Sequence, residues 1–246
     1  MTVLFFDIGA TLADVRVEAD GSLTLVPRPR VLAVLDEFRD TRKGVISNPG
    51  PGEDAAERAF SALQMTFPGR FTDDALVHWG SKGSREIFDE AVAGTAGEES
   101  PGSPPSAAGE CVFVGEDPQE RAFAREAGLR TAPHPVFTRA AVENRPVFWA
   151  RIELSEGQGL TDLEAAANGT EVVPLHIASA RLVPAMASTA GATALEQAGF
   201  TVDLRHSVEE ADTLPLPDDR PVAPAGAHEA AVGGLDTFGP SWASAG

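Results

Sequence analysis

The chain has 246 residues, 43% of them apolar, with 37 acidic against 19 basic side chains and a net charge of −18. This length allows one large or two modest domains, and so acidic a surface repels nucleic-acid phosphates and anionic lipid, so neither is an expected partner. No apolar run approaches the roughly 18 residues of a membrane span, no signal peptide is read at the N-terminus, and a single cysteine, Cys111, excludes an internal disulfide or a multi-cysteine metal site, so a cytoplasmic protein is expected.

Residues 2–6, TVLFF, form a continuous apolar run that suits a strand buried on both faces of a parallel sheet. The run ends at Asp7, and the small-residue turn of Gly9, Ala10 and Thr11 follows. Residues 15–26 alternate on either side of Asp20-Gly21, which predicts a β-hairpin. In PRPRVLAVLDEFRD, Val31, Leu32, Leu35 and Phe38 share one helical face, with prolines at the entrance. KGVIS is a second buried strand, ending at Ser47 and followed by Asn48. A helix over EDAAERAFSALQMTF and a short strand at ALVHWG come next. Another helix is expected over SREIFDEAVA, with Ser84 as its cap.

Residues 94–110 are rich in Pro, Gly and Ser and read as a surface loop. CVFVGED is an apolar strand with acids at its end, and PQERAFAREAGLR is a helix closed by Gly128. Strands alternating with helices imply α/β architecture, a doubly wound parallel sheet. Sites in such sheets form beyond the carboxyl ends of the strands, where Asp7, Ser47, Glu116 and Asp117 all fall.

This core is assigned to residues 1–135, with a linker over 136–146. A small α+β module is assigned to 147–220: strands at VFWARIEL, EVVPLHIAS and FTVDLRHS, and one helix over residues 180–199 despite Pro184. Residues 221–246 are Pro/Ala/Gly-rich and read as a disordered tail, in which Leu235, Phe238 and Trp242 resemble the anchors of a docking peptide. The five histidines show no ligand spacing.

A carboxylate at a strand end beside a small-residue turn is suited to act as a nucleophile, with the turn's N–H groups holding a phosphate. A hydroxyl at a second strand end, a lysine near a helix start and acids at a third strand end add a hydrogen bond, a countercharge and hard oxygen ligands for Mg²⁺. These appear in one order: FFDIGATL supplies Asp7 and Thr11, GVISN supplies Ser47, SKGSREIF supplies Lys82, and VFVGEDPQE supplies Glu116, Asp117 and Glu120.

The ordered set resembles the haloacid dehalogenase-like hydrolase superfamily over about residues 1–135. The resemblance implies an Mg²⁺-dependent phosphate-ester hydrolase in which Asp7 attacks phosphorus to form an aspartyl-phosphate. Ser47 and Lys82 would hold phosphate oxygens together with Gly9, Ala10, Thr11 and Asn48. Asp7, the carbonyl of Gly9, Glu116 and Asp117 would hold the metal. The expected partner is a phosphorylated small molecule or macromolecule, with a protein partner for residues 147–246 as a further option.

Three positions depart from the family pattern. Gly9 stands where a second Asp usually acts as general acid and base, a function worth on the order of 10²–10⁴ in rate. Glu116 replaces an Asp, and its additional methylene is expected to carry the carboxylate outward by about 1.5 Å. Arg121 occupies a place where a further acid is common. A catalytically degenerate binding or scaffold subunit therefore remains the alternative reading. One hairpin and one helix between Asp7 and Ser47 leave no room for a helical cap, so the site is expected to be open and a dry halide pocket is not expected.

Overall fold

A computed structural model describes residues 2–19, 21–95, 107–175 and 181–213. The chain divides into two compact units, residues 1–145 and 146–246. Among the described residues, no helix is long and apolar enough to cross a membrane.

The first unit is α/β. Its central strand, β1 (Val3–Phe6), is followed by a hairpin of β2 (Ala13–Val17) and β3 (Leu23–Pro27) and then by helix α1 (Val31–Glu37). The chain continues through β4 (Arg42–Ser47), α2 (Ala55–Thr66), β5 (Val77–Trp79) and α3 (Glu86–Gly94). It closes with β6 (Cys111–Val114), α4 (Pro118–Glu126), β7 (Arg130–Ala132) and α5 (Thr138–Val142). Five strands form a parallel sheet in the order β5-β4-β1-β6-β7. From β1 the chain moves outward through β4 and β5 and then returns to β6 on the other side. The crevice at the carboxyl end of β1 is thus the point where strand order reverses.

The two faces of β1 have separate partners, as the two-residue strand period requires. Val3 and Phe5 join Ile46, Cys111 and Phe113 against Ile87, Phe88 and Ala91 of α3 and Ala124 of α4. Within that cluster Phe88 meets Phe113 edge to face at 5.0 Å between ring centres. Phe6 turns to the other face and meets Phe71, which in turn packs on Phe67. Burying a side chain of this size is worth about 1.5–3 kcal/mol, so both faces hold the central strand in place. Gly44 of β4 has no room for a methyl group, since a Cβ there would stand 2.1 Å from the carbonyl oxygen of Leu76.

Several sequence expectations need correction. Leu32 is exposed, while Val31, Val34 and Leu35 form the buried face of α1, because the helix ends at Glu37 and its phase favours Val34. Ser84 does not cap α3: the helix starts at Glu86 with Arg85 before it, and Ser84 instead donates to the Glu86 carboxylate at 3.4 Å. Residues 136–146 are not a plain linker. They contain most of a 3₁₀ turn (Pro135–Phe137) and all of α5, with Phe137, Thr138, Ala140 and Ala141 buried.

The second unit contains β8 (Val147–Glu153), α6 (Leu160–Ala167), β9 (Val172–Pro174), β10 (Leu182–Ser188), α7 (Thr189–Gln197), β11 (Thr201–Ser207) and α8 (Val208–Thr213). Its sheet is antiparallel in the order β11-β8-β10-β9. Ala150, Ile152, Val183, Ala185 and Ala187 form one face with Leu163 of α6 and Leu195 of α7. The single helix expected over residues 180–199 is a strand followed by a helix. Val183, Ala185 and Ala187 alternate inward, and Ser188 then caps α7 by accepting the N–H of Gly191 at 3.1 Å. Pro184 is tolerated because its carbonyl accepts from Leu175 at 2.8 Å, on the side where its missing N–H would lie and where pairing with β9 has ended. The end of the strand expected over residues 171–179, the loop after Thr95 and the tail anchors lie outside the described residues.

Candidate active site

Asp7 is the first residue after β1, and its N–H donates to the carbonyl of Val114 at 2.9 Å, which fastens it between β1 and β6. Residues 8–13 then make one tight turn in which the carbonyl of Ile8 accepts the N–H groups of Leu12 and Ala13 at 3.0 Å and of Thr11 at 3.4 Å. Ala10 takes a left-handed backbone with φ of 52°, which costs a residue with a Cβ about 1 kcal/mol. Arg28, at the end of the hairpin, donates to the carbonyl of Ala10 and stands 3.6 Å from the Asp14 carboxylate, tying the turn to the hairpin.

Ser47, the last residue of β4, donates its hydroxyl to Oδ1 of Asp7 at 2.8 Å. Lys82 lies between β5 and α3 and places its ammonium 2.7 Å from the same Oδ1 and 2.7 Å from Oε2 of Glu120 in the first turn of α4. Asp7, Ser47 and Lys82 are all buried. Oδ2 of Asp7 takes no hydrogen bond among the described residues, so one carboxylate oxygen is held and the other is left for chemistry.

Glu116 does not extend outward. Its Oε2 accepts the Thr11 hydroxyl at 2.5 Å, and its backbone N–H donates to Oγ1 of Thr11 at 3.3 Å. The extra methylene is thus taken up by folding the side chain onto Thr11. Arg121 is buried and donates to the carbonyls of Gly115 at 2.8 Å and Glu116 at 2.6 Å, fixing the loop that carries the acid. Asp117 is turned away to cap α4, where it accepts from the N–H groups of Gln119 and Glu120 at 2.7 and 3.0 Å.

The expected phosphate cradle also shifts. The N–H of Ala10 donates to Ala13 at 3.1 Å and that of Thr11 to Ile8, so neither faces a ligand freely. The N–H groups of Ile8, Gly9 and Asn48 make no backbone hydrogen bond among the described residues. The exposed Asn48 uses its side chain to accept from Gly50 at 3.0 Å. Gly9 has a partly exposed backbone, and a Cβ added there would meet nothing within 4 Å.

The electrostatics follow from burying four ionisable groups together. Burial alone would lower the Lys82 ammonium, but Asp7 and Glu120 push it above the ordinary lysine value. Burial raises Glu120 to about 7, with Lys82 opposing and Asp7 adding to the rise. Burial also raises Glu116, and the charge of Asp7 adds to it. The repulsion Glu116 feels from the Asp7 charge is the kind a bound cation relieves. Among the described residues, no three His, Cys, Asp or Glu side chains form a metal cage. Mg²⁺ does not need one, because it commonly binds one or two carboxylates and keeps several waters. Asp7 and Glu116 fit that habit, whereas Asp117 spends its Oδ1 on the helix cap.

Sequence reasoning missed Arg121 as a loop clamp and left Glu120 without a role. The one available signal was position along the chain: Lys82 lies in the segment just before α3 and Glu120 in the first turn of α4, each following a strand of the parallel sheet. No family model matches this chain, and no curated protein matches it either.

Proposed function

We propose that the first unit is a haloacid dehalogenase-like phosphohydrolase, without a helical cap, that transfers a phosphoryl group from an ester to Asp7 and then to water. The observation that carries this reading is the convergence of Ser47 and Lys82 on one oxygen of a buried Asp7 at the reversal point of a parallel sheet. Oδ2 of Asp7 attacks phosphorus, the ester oxygen leaves with the bonding electron pair, and a proton from solvent neutralises it. Ser47 and Lys82 hold Oδ1 so that the attacking oxygen is fixed in direction. As the phosphoryl group arrives, the Lys82 ammonium and the N–H groups of Ile8 and Gly9 face its peripheral oxygens. Water then attacks phosphorus and restores the carboxylate. Mg²⁺, held by Asp7 and Glu116, would supply charge neutralisation for the transferring group.

The test is hydrolysis of p-nitrophenyl phosphate with Mg²⁺, comparing wild type with Asp7→Asn. Loss on the order of 10³-fold is expected for removing a nucleophile, and equal rates overturn the reading. One observation favours a second reading, that of a binding subunit which has kept the fold. Gly9 offers no general acid, and no other described carboxylate occupies the open space beside it. That reading predicts phosphate or phosphoester binding without turnover.

A further inference from the structure

A groove of about 240 Å³ lies between α2 and β5, lined by Ala56, Glu57, Phe60, Asp74, Val77 and Trp79. Phe60 lies four residues from Ala56 and three from Glu57, so all three border one side of α2. Val77 and Trp79 are two residues apart on β5 and so share one face of that strand. Because β5 is the outermost strand, the groove opens at the side of the sheet. Its volume is below the roughly 300–1,000 Å³ of most ligand pockets, so it takes a compact group.

The lining has a distinct chemistry. Phe60, Val77 and Trp79 are half-buried and apolar, while the carboxylates of Glu57 and Asp74 are exposed and make no ion pair among the described residues. Anions are repelled by the two exposed carboxylates at the groove's border, and a bare metal ion would meet aromatic carbon. An organic ammonium satisfies both halves, with its carbon shell against the aromatic rings and its charge shared between ring faces and carboxylates.

The groove also adjoins the candidate site. Trp79 is the register partner of Ser47 in the β4–β5 ladder, and Ser47 donates to Asp7 at 2.8 Å. We propose that this groove binds an organic ammonium group. Resting on the phosphohydrolase reading, the substrate is then a phosphate monoester of an amino or quaternary-ammonium alcohol, with its phosphate at Asp7 and its cation against Trp79.

The experiment has two arms on the full chain. Calorimetric titration with benzyltrimethylammonium chloride should show saturable binding to wild type and to Asp7→Asn. Binding should weaken at least about fivefold in Trp79→Leu and in the surface double variant Glu57→Gln/Asp74→Asn. No saturable binding to wild type, or equal binding to all variants, overturns the groove assignment. In the second arm, kcat/KM for choline phosphate should exceed that for 3,3-dimethylbutyl phosphate, its uncharged carbon analogue, by about tenfold, and the double variant should lose that preference. A protein that binds the ammonium and hydrolyses p-nitrophenyl phosphate but neither of these esters supports the groove and overturns the substrate assignment, and one that hydrolyses none of the three supports the groove and overturns the phosphohydrolase reading. Equal hydrolysis of both esters without ammonium binding overturns the groove and leaves that reading standing.

Discussion

The ammonium of Lys82 lies 2.7 Å from Oδ1 of Asp7, with both side chains almost wholly withdrawn from water. Neither charge is tolerable there alone, and each therefore holds the other's segment in place. The loop before α3 and the end of β1 are coupled electrostatically as well as through the sheet.

Lys82→Met should destabilise the first unit by about 3–5 kcal/mol, the usual cost of leaving one member of a buried pair uncompensated. Adding Asp7→Asn should recover much of that loss. Urea unfolding of the single and double variants measures both, and additive losses would contradict the coupling.

Gly9→Asp tests whether the missing carboxylate limits the chemistry. A side chain at this position enters open space and its backbone is not left-handed, so stability should change by less than about 0.5 kcal/mol. Hydrolysis of p-nitrophenyl phosphate should rise by at least about tenfold, and the rise should vanish when Asp7→Asn is added. An unchanged rate would mean that protonation of the leaving group is not limiting.

Glu120 gives the fold a pH signature. Its folded value of about 7 lies above the ordinary 4.5, so the folded chain keeps a proton that the unfolded chain releases. Stability from this group therefore falls as pH rises from about 4.5 to about 7, and the loss is complete above that range. Lys82 acts at the other end, since its raised value contributes fully below 10.5 and is lost as pH climbs through the folded value. Glu120→Gln should melt progressively higher relative to wild type between pH 5 and pH 8, in the presence of a chelator. A difference that stays flat would sink the assignment.

Thr11→Val removes a hydroxyl that both donates to the Glu116 carboxylate and accepts from its N–H. The substitution nearly preserves volume and leaves two polar groups without their partner, so a loss of about 1–3 kcal/mol is expected. The Mg²⁺ concentration needed for half-maximal hydrolysis should increase, because Glu116 is no longer held in direction.

The strands of the first unit were legible because residues 3–6, 44–46 and 111–114 are short runs without charge, each followed closely by a polar group at the same rim. Lys82 could be placed with them because a helix pattern starts soon after it. What escaped was set by tertiary context. In sequence Arg121 marks only a place where the family usually has an acid, yet the β6–α4 loop needs its guanidinium inside. The N–H of Ala10 looks available until the turn closes on Ala13. Residues 181–199 misled because alanine fits a helix and a small-residue strand equally well. The two-residue period of Val183, Ala185 and Ala187 emerges only once β8 and β9 flank it.

The outermost strands of the parallel sheet, β5 and β7, are three residues each. A neighbouring molecule seeking to extend the ladder would find too few free amide and carbonyl groups on either margin to register against. Together with like-charge repulsion between molecules of net charge −18, this blunts edge-to-edge polymerisation. Both margins of the first unit's sheet thus resist recruiting another chain.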